Sequence, residues 1–268
     1  MTVTVRRAAL AATAFALAAG LTACSSSGSP TASPSGSASA TGPKLSGTVT
    51  VFAAASLKES FTELGKRFEA AYPGVKVTFN FGGSSALATS ITSGAPADVF
   101  AAASTKTMKT VTDAKAATDS KVFVRNTLAI AVPKGNPKKI AALKDLAGGD
   151  LKVALCAKEV PCGAAALDAL KAGGVNLTPV TLEQDVKGAL TKVELGEVDA
   201  SLVYKTDVKA DAAKIDGVDF PEAAQAVNDY PIAALTKAPN ADGAAAFTAY
   251  VQSADARRLL TEAGFQAP

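Results

Sequence analysis

The chain has 268 residues, 48% of them hydrophobic, with 27 basic against 24 acidic side chains and no histidine. Without histidine it cannot build His-based zinc sites, Ser-His or Cys-His nucleophile pairs, or imidazole acid–base catalysis, so most hydrolases are excluded. The charges nearly balance and the lysines are scattered among acids, which leaves no basic face for a phosphate backbone. We therefore expect no nucleic-acid partner.

The first 23 residues have the pattern of an export signal. Arg6 and Arg7 precede an apolar run over residues 8–21 that is too short to span a bilayer comfortably. The run leads into Leu-Thr-Ala-Cys, which ends at Cys24 and resembles the lipobox of bacterial lipoproteins. We expect residues 1–23 to be a signal peptide and Cys24 to be a lipid anchor on the extracytoplasmic face of the cell membrane. The alternatives are an ordinary cleaved signal with an incidental cysteine, or a retained transmembrane helix.

The segment after the signal is almost entirely Ser, Gly, Ala, Pro and Thr. Such a composition cannot bury enough apolar surface to offset the entropy of ordering it, so residues 24–46 are interpreted as a flexible tether. Residues 47–268 are long enough for two modest lobes. We expect lobe 1 to comprise residues 47–128 with 230–268, and lobe 2 to comprise residues 129–229.

The first half of this region alternates between strands and helices. Periodicity and turn residues predict, in order, strand 48–52, helix 56–72, strand 75–81, helix 86–93 and strand 98–101. Ser56 and Glu59 have the spacing of a capping box at the start of the first helix. This β-α-β-α-β order predicts a mainly parallel, doubly wound sheet whose loops after the strand ends meet at one edge.

The second half repeats the order. The pattern predicts strand 128–133, strand 152–155, helix 163–172, a strand near Val180, helix 186–195, strand 200–204, return strand 230–235 and closing helices within 242–263. Strand 128–133 could cross between the lobes, and the closing helices would pack on lobe 1. Two crossings imply a hinge, so we expect an α/β, two-lobed fold with the ligand in the cleft.

Four loop-to-helix junctions are candidates for an anion site. Unpaired backbone N–H groups and the positive end of the helix dipole bind anions there without any charged side chain. The junctions begin at Ser56, Ser84, Cys162 and Val186. The serine hydroxyls, and the phenol of Tyr204 at a strand end, can donate to oxygen. Segments 53–57, 82–87 and 160–164 contain no Lys or Arg.

A structural interpretation competes with each candidate. Ser56 could be only a helix N-cap, which stabilises by about 1 kcal/mol. Ser84 could belong to a turn after the glycine pair, and Tyr204 could be a half-buried strand residue. Cys162 and Val186 could offer only backbone N–H groups. The acid that precedes the fourth helix is interpreted as a cap, because a carboxylate aimed at a dianion would repel it.

Several segments resemble the periplasmic molybdate-binding protein family in order and spacing. They are Val-Phe-Ala-Ala-Ala-Ser-Leu at 51–57, Phe-Gly-Gly-Ser-Ser-Ala-Leu-Ala at 81–88, Gly-Ala-Pro-Ala-Asp-Val-Phe at 94–100, Val-Pro-Cys-Gly at 160–163, Asp-Val-Lys-Gly-Ala-Leu at 185–190 and Leu-Val-Tyr at 202–204. The resemblance covers nearly all of the chain after Leu45. It departs at Cys162, where the family often has Ala, and at Gly83, where Ser is common.

This resemblance implies a type II periplasmic-binding-protein fold that holds molybdate or tungstate between its lobes through neutral donors. By position, Ser56 and Ser84 would supply hydroxyl and backbone donors, Cys162 and Val186 backbone N–H groups, and Tyr204 its hydroxyl. The oxyanion would be bound through these donors, with no side chain ligating the metal directly. It further implies a monomeric receptor, without cofactor or enzymatic activity, that delivers its ligand to the permease of an ABC importer.

Several other functions compete with this one. A sulfate receptor would use similar donors, whereas protonated phosphate would need an acceptor carboxylate that the Ser56 and Ser84 loops lack. A ferric-ion or organic-solute receptor on the same fold is a further alternative, although iron needs several converging Tyr or carboxylate ligands. An extracytoplasmic Ser hydrolase using Ser56 or Ser84 would lack both a Gly-x-Ser-x-Gly motif and a histidine base.

With Cys24 assigned to the lipid, the chain has two more cysteines. Cys156 and Cys162 form a pair in an oxidising compartment, and we expect a disulfide between them. Free thiols, or a two-Cys metal site without partner ligands, are the alternatives. Closing so short a loop stabilises by at most about 2 kcal/mol in the entropic account, so its main effect is on local geometry.

Overall fold

The computed structural model describes residues 45–268. The predicted signal peptide, Cys24 and nearly all of the predicted tether lie outside the described residues. Between residues 45 and 268, no helix is both long enough and apolar enough to cross a membrane.

Strands and helices alternate along most of the described chain. Within residues 45–268 the strands are β1 (Gly47–Ala54), β2 (Val75–Gly82), β3 (Val99–Ala101), β4 (Lys121–Asn126), β5 (Leu128–Pro133), β6 (Val153–Cys156), β7 (Thr181–Glu183), β8 (Ala200–Tyr204), β9 (Ile215–Val218) and β10 (Asn228–Ala234). The α-helices are α1 (Lys58–Ala71), α2 (Ser84–Thr92), α3 (Thr105–Asp113), α4 (Pro161–Ala172), α5 (Val186–Glu194), α6 (Lys205–Ala210), α7 (Ala241–Val251) and α8 (Ala254–Glu262). Short 3₁₀ turns lie at Ala55–Leu57, Leu143–Ala147 and Pro221–Gln225.

The strands form two separate five-stranded sheets. The first has the order β2-β1-β3-β10-β4 and the second the order β7-β6-β8-β5-β9. We call each sheet with the helices packed on it a lobe, lobe 1 for the first sheet and lobe 2 for the second. The chain passes from lobe 1 to lobe 2 between β4 and β5, and returns between β9 and β10. In each sheet two strand pairs are parallel and two are antiparallel.

Lobe 1 is built around a cluster of aromatic rings. Phe61 and Phe68 on α1 are fully buried and meet the ring of Phe247 on α7, with centroids 6.2 and 5.2 Å apart. Phe79 on β2 and Phe123 on β4 complete the cluster. Fully burying each such side chain stabilises by about 1.5–3 kcal/mol. The rings therefore fix α1 and α7 against one face of the sheet, as expected for the closing helices.

Lobe 2 has smaller core residues and continuous buried strands. Every residue of β6 and β8 is buried, because each strand lies inside the sheet with helices covering it. Helix α4 packs through Ala166, Ala169 and Leu170, which are at most 4% exposed. Small side chains let this helix approach the sheet closely.

The two-lobed α/β fold is confirmed, and the structure corrects several details. The predicted capping box is wrong, because Ser56 lies inside the 3₁₀ turn and α1 begins after it with no side-chain cap at Leu57. Helix α2 begins at Ser84, two residues earlier than predicted. The sheets are more mixed than expected, since β5 and β10, the strands that follow the crossings, run antiparallel to their neighbours. The sequence pattern does not predict α3, β4, α6 or β9.

Candidate functional site

A small cavity lies between the lobes, where the N-terminal residues of four helical segments meet. Residues at the starts of the 3₁₀ turn and α2 line it from lobe 1, and residues at the starts of α4 and α5 line it from lobe 2. All five residues predicted to bind the ligand line this cavity: Ser56, Ser84, Cys162, Val186 and Tyr204. The cavity is small, with an empty volume of about 200 Å³.

The lobe 1 wall presents two buried serine hydroxyls. Ser56 is 4% exposed, and its Oγ lies 2.8 Å from the hydroxyl of Tyr230 on β10. Ser84 is 1% exposed, and its Oγ accepts a hydrogen bond of 3.0 Å from the backbone N–H of Ala103. Since Ser84 Oγ acts as an acceptor in that bond, its own proton is free to be donated towards the cavity.

The lobe 2 wall presents backbone N–H groups at two helix starts. Cys162 follows Pro161, the first residue of α4, and Val186 is the first residue of α5. The first N–H groups of a helix have no intrahelical acceptor, and the helix dipole adds a positive potential there. Asp185 caps α5, as predicted, because its Oδ1 accepts a hydrogen bond of 2.9 Å from the N–H of Gly188. Its carboxylate is therefore engaged in capping.

Tyr204 contributes a hydroxyl at the end of β8. The residue is 1% exposed, and within residues 45–268 its Oη has no hydrogen-bond partner. Burial raises the pKa of Tyr204 well above its usual value, so the phenol keeps its proton and remains a donor. A buried donor without a partner costs free energy, and a ligand oxygen in the cavity would satisfy it.

Within residues 45–268, no cationic side chain lines the cavity. The nearby Lys187 on α5 forms ion pairs with Glu59 at 3.1 Å, with Asp207 at 3.2 Å and with Asp211 at 3.7 Å. Burial by itself lowers the pKa of Lys187, but attraction to Asp207 and Glu59 raises it overall. Lys187 is thus matched by carboxylates, and the positive potential at the cavity comes from peptide N–H groups.

The lobes touch each other beside this cavity. Glu59 on α1 and Lys187 on α5 form an ion pair across the cleft, and Ser85 Oγ on α2 donates to the backbone oxygen of Glu159. Gly83 approaches the other lobe so closely that a Cβ atom there would lie 2.2 Å from the carbonyl oxygen of Gln184. Both lobes are therefore held against each other in a closed arrangement.

The predicted disulfide between Cys156 and Cys162 is present, with Cα atoms 5.8 Å apart. It joins the end of β6 to the first turn of α4. The chain packs so tightly here that a Cβ on Gly163 would lie 2.0 Å from the carbonyl oxygen of Ala157. The disulfide and this glycine both lie at the helix start that carries the Cys162 N–H.

Two features of the site were not found from the sequence. Tyr230 contacts Ser56 although 174 residues separate them, and the ion-pair cluster around Lys187 joins three separate helices. The only local sign of the Tyr230–Ser56 contact is a tyrosine at the start of the return strand. The only local sign of the ion-pair cluster is a lysine directly after the start of α5.

Comparison with known proteins agrees with a two-lobed solute-binding protein. The family described as bacterial extracellular solute-binding protein matches residues 49–266. The molybdate-binding protein ModA of Mycobacterium tuberculosis is 44% identical over 253 residues, covering 94% of this chain and 95% of that protein. The putative ABC transporter substrate-binding lipoprotein YvgL of Bacillus subtilis is 33% identical over 227 residues, covering 82% of this chain and 86% of that one.

A solved structure supports the fold. The Azotobacter vinelandii periplasmic molybdate-binding protein matches with a TM-score of 0.72 at 20% identity, covering 82% of this chain and 99% of that one. On the family match and the two sequence relatives, the chain belongs to the bacterial extracellular solute-binding proteins. The family resemblance inferred from the sequence motifs is confirmed.

Proposed function

We propose that this protein captures molybdate or tungstate outside the cytoplasm and delivers it to the permease of an ABC importer. The observation that carries the proposal is a cavity between two lobes lined by neutral donors at four helical N-termini. The 44% identity to a molybdate-binding protein over 94% of the chain supports the choice of ligand. The protein acts as a receptor in this proposal and not as an enzyme.

Each predicted residue has a role in holding the oxyanion. Ser56 and Ser84 donate their hydroxyl protons from lobe 1, Cys162 and Val186 donate backbone N–H groups from lobe 2, and Tyr204 donates its phenol. Hydrogen bonds to a charged group stabilise by about 1.5–3 kcal/mol each. Five of them offset the dehydration of a dianion without a formal counter-charge.

The donor set also favours a fully deprotonated oxyanion over phosphate. Phosphate at neutral pH carries a proton that needs an acceptor, whereas the five residues assigned to the ligand are assigned as donors. Asp185, which also lines the cavity, uses its Oδ1 to cap α5 through the N–H of Gly188. Sulfate has no such proton, so its exclusion depends on size. Metal–oxygen bonds are longer than sulfur–oxygen bonds. A rigid set of donors placed at hydrogen-bonding distance from molybdate would therefore lie too far from the oxygens of sulfate.

Closure of the lobes completes the shell. Lobe 1, predicted as residues 47–128 and 230–268, and lobe 2, predicted as residues 129–229, rotate about the two chain crossings. Leu128 pairs in the lobe 2 sheet and Asn228 in the lobe 1 sheet, so the crossings lie between β4 and β5 and between β9 and β10. The ligand binds one lobe first, and closure then adds the donors of the other. The closed form is stabilised by the Glu59–Lys187 ion pair, which joins the two lobes.

The anchor and the oligomeric state are parts of the same proposal. Cys24 carries the lipid and residues 24–46 tether a monomeric receptor near its permease, consistent with a relative that is named a lipoprotein. Replacing Cys24 by Ser should move the protein from the membrane fraction to the soluble extracytoplasmic fraction. A Cys24→Ser protein that stays in the membrane fraction would contradict the anchor.

The ligand is tested by isothermal titration calorimetry of the purified protein against molybdate, tungstate, sulfate and phosphate at neutral pH. We expect one-to-one binding of molybdate and tungstate, with sulfate and phosphate silent. Tight binding of sulfate with weak binding of molybdate would reassign the site to a sulfate receptor. No heat and no competition by any of the four anions in folded protein would refute an oxyanion receptor.

A further inference from the structure

Tyr230 lies directly behind the cavity and does not line it. Its side chain is fully buried at the start of β10, and its Oη is 2.8 Å from Ser56 Oγ. Its ring meets the ring of Tyr204 edge to face, with centroids 5.9 Å apart at 74°, and the ring of Phe265 at 5.6 Å. The hydroxyls of Tyr204 and Tyr230 do not form a hydrogen bond of acceptable geometry. Tyr230 therefore contacts two of the hydroxyl-bearing side chains that line the cavity, Ser56 from lobe 1 and Tyr204 from lobe 2.

The chemistry of the ligand fixes the direction of the Tyr230–Ser56 hydrogen bond. A fully deprotonated oxyanion has acceptor atoms alone, and Ser56 has a single hydroxyl proton. If Ser56 donated that proton to Tyr230, its oxygen would face the anion with lone pairs and repel it. The Ser56 hydroxyl can donate to the anion only when Tyr230 is the donor in their bond.

Tyr230 is suited to that role at any physiological pH. Burial raises the pKa of its phenol well above the usual value, so its proton is retained. Packing of its ring between Tyr204 and Phe265 restricts the side chain to one position. A fixed donor on one side of Ser56 Oγ leaves the serine proton free to point at the cavity.

We propose that Tyr230 is a positioning residue for the oxyanion, donating to Ser56 Oγ and thereby directing the Ser56 proton to the bound ligand. This rests on the proposed function, because it requires an oxyanion in the cavity. It extends the binding apparatus to a residue that does not touch the ligand. A Tyr230 that only filled the core would give the same packing but would not couple energetically to Ser56.

A double-mutant cycle separates positioning from packing. Molybdate affinity is measured by calorimetry for wild type, Ser56→Ala, Tyr230→Phe and the double variant, with Tyr250→Phe, a tyrosine that does not line the cavity, as a matched control. Tyr230→Phe keeps the ring contacts and removes only the hydroxyl, and we expect affinity to fall about five- to tenfold. In the Ser56→Ala background the same change should alter affinity less than about twofold, because the serine proton is already gone.

The outcomes are distinct. An unchanged affinity in Tyr230→Phe, or an equal loss in both backgrounds, would overturn the positioning role while leaving the proposed function intact. A wild-type protein that binds no molybdate would instead refute the proposed function.

A second measurement avoids dependence on the folding of Tyr230→Phe. In the wild-type protein the buried Tyr230 hydroxyl proton, observed by NMR, should shift downfield and exchange more slowly when molybdate is added. Tyr204→Phe distinguishes it from the other buried phenol. A Tyr230 hydroxyl signal insensitive to molybdate would overturn the inference.

Discussion

Gly83 precedes α2 and faces the carbonyl oxygen of Gln184 in the other lobe. Its φ of −61° is open to any L-residue, so Gly83→Ala introduces no backbone strain and tests the contact alone. The added Cβ would lie 2.2 Å from Gln184 O, whereas real Cβ atoms stay beyond 3.0 Å. The lobes must therefore separate by at least about 0.8 Å at this point, the difference between those two distances.

That separation reaches the ligand shell. Gln184 lies two residues before Val186, so the N–H of Val186 would move with it. A hydrogen bond of about 2.9 Å would lengthen to about 3.7 Å, beyond the useful range. Losing one charge-assisted bond of about 1.5–3 kcal/mol predicts an affinity for molybdate that is about 10- to 100-fold weaker.

Calorimetry on Gly83→Ala and on a matched control measures this loss. Gly149→Ala is the control, because a Cβ there meets nothing within 4 Å. The melting temperature of ligand-free Gly83→Ala should change little, because the lobes can open to relieve the contact. A folded Gly83→Ala protein that binds molybdate within twofold of wild type would refute the reasoning that this glycine permits closure.

Two further predictions concern stability. Burial raises the pKa of Asp207 from 3.8 to about 6; the positive charge of Lys187 opposes this shift and the negative charge of Glu59 adds to it. Asp211 and Tyr204 also face this cluster. The folded state then binds more protons than the unfolded state between these values, so unfolding free energy should fall by up to about 3 kcal/mol as pH rises from about 4 to 6. Chemical denaturation of wild type and Asp207→Asn across this window checks it, and the same slope in both proteins would contradict it. Replacing Cys156 and Cys162 together by Ala should lower the melting temperature by about 4–8 °C and leave molybdate affinity within about threefold, because only the backbone N–H of residue 162 is assigned to the ligand. A tenfold loss of affinity in that folded double variant would show that the disulfide itself orients the donor.

Much of the fold was predictable because its signals are local. Buried strands such as β5 and β8 appear as continuous apolar runs, and the cap at Asp185 is a spacing within one helical turn. The cavity-lining residues were also accessible from the sequence. They lie at loop-to-helix junctions, where backbone geometry makes an anion site whatever the distant contacts are.

The missed elements have weak local signals. Helix α3 carries four threonines on a short amphipathic stretch, and α6 is only six residues long. The sequence pattern at Ser56 also predicts the wrong role, that of a helix cap. Its spacing to Glu59 is that of a capping box, but its hydroxyl forms a hydrogen bond with the hydroxyl of Tyr230 instead. A tertiary partner thus overrode a local pattern.

The sequence by itself determined the two-lobed α/β fold, the disulfide and the loops that line the cavity, because these depend on short-range periodicity, cysteine pairing and helix starts. Only the tertiary structure decided how the lobes meet: the Gly83–Gln184 contact, the Lys187 ion pairs and the Tyr230–Ser56 hydrogen bond. Each of these joins atoms distant along the chain through the docking of separate elements. No local pattern encodes such a distance, since it follows from the packing of the whole molecule.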